Sequence, residues 1–455
     1  MKKKLLLYLF LFSFYSSNAQ YDHLNINFLG LFDDPAVVPE QVYGIRYQAC
    51  WGWADTATGK EYGIIGSTAG TYIVDVSNPT SPVQSDYIPH RQNDCIWHEY
   101  KTYGNYLYII SDDGGNNSFQ IADLSYLPDS VHLVYDSTDI FIHAHTLFID
   151  RDKLYVGYVT TATGTSSMNV YSLADPAHPT LLRRLDQDYS IIGAVHDMYV
   201  VNDTVYASCG YQGLYIFKYD TVANQFFQLG TLQDGFNIYN HSSVLSSDHS
   251  ILYVCEEVPD GQPVKIISVA DIHNPALIDT FYSNSGATAH NVYVDHDKLI
   301  IAYYQDGVYI YDISNPVSPV MTGYFDTYMA NPPGTYFVPA YAGCWSVYYE
   351  LPSGILLAGD MQSGLFCLDI SNVNSVEKTF SDKIKIYPNP ATDLLKIQGV
   401  NKSTVEIFDM KGKLCKSVMN SEDNLTIDLS LFTEGIYNLK VTGNGFIVNK
   451  KIVKQ

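Results

Sequence analysis

The sequence predicts an all-β protein: a seven-bladed β-propeller followed by a small immunoglobulin-like β-sandwich. Three observations lead to this prediction: an aromatic composition interrupted by Gly and Pro, a unit of about 45–55 residues that recurs along most of the chain, and a reversal of charge near the C-terminus. Of the 455 residues, 14% are aromatic and 16% charged, with 39 Tyr, 31 Gly and 19 Pro. Aromatic and β-branched segments bounded by Gly and Pro are typical of strands and turns.

Residues 1–19 have the pattern of a secretory signal peptide. Three lysines precede an apolar run at 5–15, and small residues at 17–19 suit cleavage before Gln20. The apolar run is too short to cross a bilayer, and no later stretch is long enough either, so we expect an exported chain without a transmembrane segment. The net charge of −22 argues against a nucleic-acid partner, because such binding requires a basic surface.

The repeated unit occupies residues 20–373 and is predicted to contain four short strands. A histidine opens the first strand at five places, 45–51 residues apart, and an apolar second strand follows about nine residues later. The third strand is clearest at 70–75, 307–312 and 364–369. Trp51 and Trp345 open the first and last units, which makes seven. Four strands per unit with tight turns are typical of a propeller blade; the alternative is a pair of sandwiches with coincidental spacing.

The last unit lacks a fourth strand of its own, because residues 369–372 run into a polar linker at 374–382. Residues 25–33 resemble the fourth strand of the sixth unit. We therefore expect the N-terminal segment to supply the outer strand of the seventh blade, since an open edge would leave backbone groups unpaired.

Residues 383–455 form a separate predicted domain. This stretch has 11 basic and 7 acidic residues, whereas the preceding part of the chain is strongly acidic. Its alternating strands at 395–397, 405–408 and 435–439 predict a small β-sandwich. An ordinary immunoglobulin-like binding module is the alternative to a secretion domain.

Two family resemblances follow from these motifs. Residues 72–79 and 309–316 resemble the LVIVD repeats of bacterial surface propellers of the choice-of-anchor B type. The Tyr-Pro-Asn-Pro opening at 387–390, residues 408–413 and the basic end resemble the type A C-terminal sorting domain of the Bacteroidota type IX secretion system. This resemblance implies that the tail engages the type IX machinery and that the protein reaches the cell surface or the medium. Neither resemblance implies a reaction.

The repeat places the five histidines around one mouth of the central channel. Neutral imidazoles bind Zn²⁺, Cu²⁺ or Fe²⁺, so the ring is a candidate site for a divalent transition metal. A polar lining, hydrogen bonds to the next blade, and acid–base catalysis with His143, Glu99 or Asp197 nearby are the alternatives. The candidate metal ligands are His98, His145, His196, His241 and His290.

Aromatic residues predict a binding cleft at the same mouth. We expect Trp51 and Trp345 to stand side by side and, with Trp53, to floor a cleft. Tyr336 and Tyr341, on the connection at 326–343, would complete it. Such a platform suits glycans or peptides; the alternative is that these long connections only pad the seam of the ring.

The cysteines and catalytic motifs restrict the remaining possibilities. No Cys-x-x-Cys pair or zinc-finger spacing occurs, so we expect no structural zinc site. Cys50 and Cys344 are the pair we expect to form a disulfide, because they occupy matching places on adjoining blades. No nucleophile elbow, P-loop or His-Glu-x-x-His motif is present. The sequence therefore favours binding of an extracellular glycan, peptide or protein at the mouth, with a metal-dependent hydrolase using the histidines as the alternative.

Overall fold

The computed structural model describes residues 21–113, 115, 117–233, 235, 237–331, 335–373, 384–409, 413–443 and 446–455. The predicted signal peptide at 1–19 and the predicted linker at 374–382 lie outside these residues. The described residues form an almost entirely β structure with one short 3-10 helix, Leu185–Gln187. None of them forms a helix with the length and hydropathy of a membrane span.

Seven antiparallel sheets lie between residues 23 and 369 of the described chain. Two N-terminal strands come first: β1 (His23–Leu24) and β2 (Asn27–Phe32). The first sheet contains β3 (Tyr47–Asp55), β4 (Lys60–Ser67), β5 (Gly70–Asp75) and β6 (Val83–Pro89). The second contains β7 (His98–Tyr103), β8 (Tyr106–Ser111), β9 (Phe119–Asp123) and β10 (His132–Ser137). The third contains β11 (Thr146–Asp150), β12 (Lys153–Thr161), β13 (Gly164–Ser172) and β14 (Thr180–Arg184).

The remaining four sheets repeat this order. The fourth contains β15 (Asp197–Val201), β16 (Thr204–Ser208), β17 (Leu214–Asp220) and β18 (Gln225–Leu232). The fifth contains β19 (Asn240–Leu245), β20 (Ile251–Glu256), β21 (Val264–Ser268) and β22 (Ala276–Phe281). The sixth contains β23 (Asn291–Asp295), β24 (Lys298–Ala302), β25 (Val308–Asp312) and β26 (Val320–Phe325). The seventh contains β27 (Cys344–Tyr348), β28 (Ile355–Asp360) and β29 (Gly364–Asp369).

The first strands of the sheets form a closed ring. Each of β3, β7, β11, β15, β19, β23 and β27 contacts the next in that order, and β27 contacts β3. Radial sheets around inner strands are the arrangement of a β-propeller, so the predicted all-β propeller fold is confirmed. This geometry brings residues far apart in sequence to a common axis.

The N-terminal segment closes the ring, as predicted. Strand β2 pairs with β29 as the outer strand of the seventh sheet, with Phe28 opposite Leu368. The sequence did not predict that β1 would also pair with β26 and become a fifth strand of the sixth sheet. Ile26, between the two strands, is fully buried. The segment thus joins the sixth and seventh sheets.

Buried tyrosines connect neighbouring blades and help to explain why the chain has so many. The Tyr108 hydroxyl donates to the carbonyl of Pro176, at 2.9 Å, and the Tyr253 hydroxyl donates to the carbonyl of Pro316, at 2.7 Å. Both rings are fully buried, and both acceptors lie in the turn after the third strand of the next blade. A tyrosine here fills the layer between sheets and satisfies its hydroxyl at the same time.

The C-terminal strands form two further sheets. They are β30 (Lys385–Tyr387), β31 (Leu394–Gln398), β32 (Ser403–Asp409), β33 (Leu414–Asn420), β34 (Asn424–Asp428), β35 (Gly435–Gly443) and β36 (Phe446–Lys454). One sheet has the order β30-β31-β34 and the other β33-β32-β35-β36. Residues from both sheets share one apolar core that includes Leu395 and Leu439. The immunoglobulin-like assignment stays a prediction.

Candidate functional site

Four of the five predicted histidines form an arc at the start of the inner strands. The ring centroids of His145 and His196 lie 4.0 Å apart, those of His196 and His241 4.5 Å, and those of His241 and His290 4.3 Å. Trp345 continues the arc, 4.0 Å from His290. The pairing register shifts between Asn240 and Ser242, which accommodates the irregular spacing at His241. The repeat therefore located these side chains correctly.

The fifth histidine, His98, lines the same small hollow as the arc, but its ring packs against other partners. Its ring stacks on His90, with centroids 4.5 Å apart, and its Nδ1 hydrogen-bonds Oε1 of Gln48 at 3.1 Å. The indole beside Trp345 belongs instead to Trp97, at 5.4 Å. His98 thus lines the hollow together with the other four histidines. Its imidazole makes no ring contact with the arc, because the amide of Gln48 holds it beside His90.

Burial and one carboxylate set the charges of the arc. Burial lowers the pKa of His196, His241 and His290, so these imidazoles are neutral near pH 7. Burial would also lower the pKa of His145, but Asp112 lies 2.8 Å from its Nδ1 and the result is a raised pKa. The arc thus presents three neutral imidazoles beside one that protonates more readily.

Several buried polar atoms of the arc have no hydrogen-bond partner among the residues that the structure describes. They include Nδ1 of His241, Nε2 of His290 and Nε1 of Trp345. Nδ1 of His290 donates to the carbonyl of Trp345 at 2.7 Å, so its Nε2 carries a free lone pair. Buried polar atoms are normally satisfied. These atoms are available to bind a ligand, an ion or water.

One carboxylate that the sequence analysis missed lies beside the arc. Donor atoms of His196, His241 and Glu257 all lie within 4.8 Å of one another. Oε2 of Glu257 is 3.7 Å from Nε2 of His241, and its Oε1 accepts a 2.7 Å hydrogen bond from the Tyr304 hydroxyl. Two imidazoles and a carboxylate are a ligand set used for Zn²⁺ and Fe²⁺. The only sign of this site in the sequence was the pair Glu256-Glu257 at the end of the apolar strand β20.

A larger cavity of about 380 Å³ lies further along the inner strands. Its lining combines aromatic rings with charged and amide groups, among them Trp51, Glu99, Lys101, Tyr199, Asn291 and Tyr348. A much smaller hollow lies at the histidine arc, and both are lined by Glu99, Asp197 and Asn291. The channel therefore has a narrow imidazole end and a wider aromatic part.

Glu99, like Asp197, is a titratable group that lines both parts of the channel. Burial raises its pKa, Lys101 opposes the increase and Asp197 adds to it, which leaves the pKa at about 7. Nζ of Lys101 lies 3.8 Å from its carboxylate. A carboxyl group with this pKa accepts or donates a proton near neutral pH.

The three predicted tryptophans occupy three different environments. Trp51 lines the wide cavity, with its Nε1 donating to Oγ1 of Thr102 at 3.0 Å and Nζ of Lys101 4.1 Å from its ring centroid. Trp53 is only 8% exposed and donates to the carbonyl of Gly104. Trp345 is 5% exposed, inside the arc. The expectation that Trp51 and Trp345 stand side by side and floor one cleft with Trp53 is therefore wrong, because Trp51 lines the wide cavity and Trp345 the hollow at the arc.

The two predicted tyrosines also separate. Tyr341 packs edge-on against Trp97, Tyr304 and Tyr43, at 5.4, 5.9 and 5.4 Å, and so covers the region around Trp345. Tyr336 lines a different surface cavity, with Phe337. Tyr341 therefore packs against neighbouring rings at the seam of the propeller, which was the alternative to a role in ligand binding.

The expected disulfide is absent. All seven cysteines are free thiols, and all but Cys415 are buried. The Cys50 thiol donates to the carbonyl of Ser346 at 3.3 Å, and the Cys344 thiol contacts the same carbonyl at 3.6 Å. The two residues do approach each other across the seam between the first and seventh sheets, but both thiols are directed at a backbone acceptor.

Comparison with known proteins identifies both parts of the chain. LVIVD repeats match residues 61–86 and 286–327, and a secretion system C-terminal sorting domain matches residues 385–455. A search of curated proteins finds no similar sequence.

Solved structures that match this chain include PorZ, described as an essential surface component of the type-IX secretion system of Porphyromonas gingivalis. That match has 12% identity and a TM-score of 0.38, and it covers 87% of this chain and 64% of that one. A putative 6-phosphogluconolactonase of Bacteroides uniformis has 12% identity, a TM-score of 0.48 and coverage of 80% and 96%. A periplasmic gluconolactonase of Pseudomonas aeruginosa has 10% identity with the same TM-score and coverage.

The sorting domain shows that the protein is exported through type IX secretion to the cell surface or beyond. The first and sixth blades, with their Asp-Val-Ser-Asn-Pro and Asp-Ile-Ser-Asn-Pro turns, are the parts of the propeller that the repeat model matches. This chain is thus a β-propeller with LVIVD repeats that carries a type IX secretion sorting domain at residues 385–455.

Proposed function

We propose that this exported propeller binds a short saccharide in its axial channel. The observation that carries the proposal is the cavity of about 380 Å³, whose lining alternates aromatic rings with carboxylate, amide and hydroxyl groups. This volume suits a small ligand or one end of a longer chain, because binding cavities for small molecules fall between about 300 and 1,000 Å³. A folded protein partner would not enter it.

The chemistry of the lining supports a sugar. Rings such as Trp51, Tyr199 and Tyr348 offer apolar faces to the C–H groups of a pyranose. Glu99, Asp197 and Asn291 supply hydrogen-bonding groups for its hydroxyls. The ammonium of Lys101, over the Trp51 ring, would move aside or donate a hydrogen bond to a sugar hydroxyl when ligand enters.

Titration calorimetry of the purified propeller against a panel of short saccharides tests this proposal. We expect Trp51→Ala and Tyr199→Ala each to weaken binding at least tenfold while the chain remains folded. Tyr126→Ala is the matched control, because this tyrosine is 49% exposed and stacks on His132 outside the channel. Failure of every saccharide to bind, or binding that survives both channel substitutions, would contradict the proposal.

The metal-dependent hydrolase is the second candidate, and one observation favours it. His196, His241 and Glu257 form a two-histidine, one-carboxylate set, and the hydroxyl of Tyr304 orients the carboxylate. A divalent ion bound there would act as a Lewis acid on a substrate in the adjoining cavity. Glu99, with a pKa of about 7, would hold or release a proton during such a reaction.

Metal analysis separates the two candidates. If the second is correct, the purified protein binds about one equivalent of Zn²⁺ at this set, and Glu257→Gln lowers the affinity at least tenfold. His178→Ala is the control, because the His178 side chain is 69% exposed. Saccharide binding that persists after chelation, with no hydrolysis of the bound sugar, would exclude the hydrolase and leave the binding function intact.

A further inference from the structure

A second cluster of histidine and cysteine side chains lies at the seam between the first and second sheets, where His98 borders the hollow of the arc. The segment that joins β6 to β7 brings together donor atoms of His90, Cys95 and His98, all within 4.8 Å of one another. Nε2 of His98 is 3.3 Å from Nδ1 of His90. Cys95 and His98 are each 1% exposed, and His90 is half-buried, so the cluster opens towards solvent on one side.

A hydrogen-bonded amide fixes the orientation of His98. Oε1 of Gln48 accepts from the backbone N–H of His98 at 3.0 Å and from its Nδ1–H at 3.1 Å. An amide oxygen only accepts, so Nδ1 carries the proton and the lone pair of Nε2 faces His90. Outer groups that fix a tautomer in this way are characteristic of histidines that bind metals.

The backbone holds the three donors in place. The N–H groups of His90 and Cys95 donate to the carbonyls of Ala69 and Thr68, at 3.0 and 3.2 Å, so both ends of the segment attach to one turn of the first sheet. The N–H groups of Ile96 and Trp97 donate to Oδ2 of Asp113. A Cβ on Gly66 would lie 2.6 Å from the Tyr100 hydroxyl and 3.1 Å from the His98 ring, so the glycine leaves room for both side chains.

We propose that His90, Cys95 and His98 bind a divalent transition metal ion of the Zn²⁺ class. Two nitrogen ligands of a tetrahedral zinc ion lie about 3.3 Å apart when each Zn–N bond is 2.0–2.1 Å, and the two imidazole nitrogens here already have that separation. The Cys95 thiol gives up its proton to solvent as the metal–sulfur bond forms, and water on the open side of His90 completes the coordination. The sulfur ligand distinguishes this site from the oxygen and nitrogen set of the channel.

This site escaped the sequence analysis because it lacks the usual zinc spacing. Cys95 lies three residues before His98, and His90 lies five residues before Cys95. The relevant contact is between His90 and His98, which only the folded segment shows. The metal would also protect a free thiol in an exported protein, where disulfide formation is otherwise favoured.

Titration of the metal-free full chain with Co²⁺ tests the site directly. We expect one equivalent of Co²⁺ to produce a near-ultraviolet thiolate-to-metal charge-transfer band, which Zn²⁺ then removes by displacing Co²⁺. Cys95→Ser should abolish the band and His90→Ala should weaken Co²⁺ binding at least tenfold. Because His90 is half-buried, the second variant remains informative if the first does not fold. Cys209→Ser, at a buried thiol in another blade, is the matched control and should keep the band.

Two results would overturn the proposal: no charge-transfer band at saturating Co²⁺, or a band that persists in Cys95→Ser. The channel is independent in this experiment, because His196, His241 and Glu257 contain no sulfur. Glu257→Gln should therefore leave the band unchanged. Saccharide binding in the channel is expected to survive Cys95→Ser, so failure of either proposal can be recognised separately.

Discussion

Replacing Ile26 with alanine tests whether the N-terminal segment holds the propeller closed. Ile26 is fully buried between β1 and β2, in the apolar cluster that contains Phe325 and Val373. Truncating a buried isoleucine to alanine costs about 2–5 kcal/mol, because transfer energy is lost and a cavity remains. We expect the free energy of unfolding of the propeller to fall by this amount.

Tryptophan fluorescence during urea unfolding is the appropriate measurement. All four tryptophans lie in the propeller, so the C-terminal domain does not contribute to the signal. At an m-value of about 3 kcal/mol/M, a loss of 2–5 kcal/mol lowers the midpoint by about 0.7–1.7 M. The slope of the transition should stay the same if only stability changes.

Leu24→Ala is the matched control for this measurement. Leu24 lies in the adjoining strand β1 but is 41% exposed, so its truncation should change stability by no more than about 0.5 kcal/mol. If Ile26→Ala and Leu24→Ala unfold at the same urea concentration, the N-terminal segment does not close the ring. The proposed role of β2 as the outer strand of the seventh sheet would then be incorrect.

Three further predictions concern charge and export. Asp203 accepts a hydrogen bond from the buried Tyr155 hydroxyl at 2.8 Å and pairs with Lys153, so Asp203→Ala should lower the free energy of unfolding in urea by about 3 kcal/mol. The control Asp152→Ala, at a side chain that is 67% exposed, should lower it by less than about 1 kcal/mol, and equal losses would contradict this prediction. Burial raises the pKa of Glu99 from 4.5 to about 7, so between these pH values the folded chain retains a proton that the unfolded chain releases. The melting temperature should therefore fall as the pH rises from 4.5 to 7, and Glu99→Gln should remove that decrease. Deleting residues 385–455 should retain the protein in the cell envelope of a host with type IX secretion, as followed by blotting of cell fractions, and normal release would refute the role of the tail.

The repeated unit could be recognised from sequence because each blade is local. Four strands and their turns lie within about fifty consecutive residues, and the turn signals are explicit. Asp75 and Asp312, for example, each accept the backbone N–H two residues further on, within the turn that follows the third strand. The contribution of β1 to the sixth sheet was not apparent, since a two-residue strand has no usable periodicity.

The functional residues were predicted only in part, because a repeat gives the position of a residue on its strand but not the neighbours of its side chain. Equal spacing placed four imidazoles at equivalent points of successive inner strands, and His145, His196, His241 and His290 do lie together. Spacing carries no information about which neighbour a side chain meets. His98 keeps the register of the repeat, yet Gln48 and not the channel determines where its ring lies.

Periodicity, composition and two motifs were sufficient to identify the propeller, the secretion tail and the closure of the ring, because these depend on hydrophobic patterning and backbone pairing along the chain. The partners of individual side chains were decided in three dimensions. Glu257 reaches the histidine arc from the end of a second strand, and His90 meets His98 across a turn. Trp51 lines the wide cavity, whereas Trp345 lies in the arc. Such contacts depend on packing between residues on different strands and loops, and no pattern in consecutive residues encodes them.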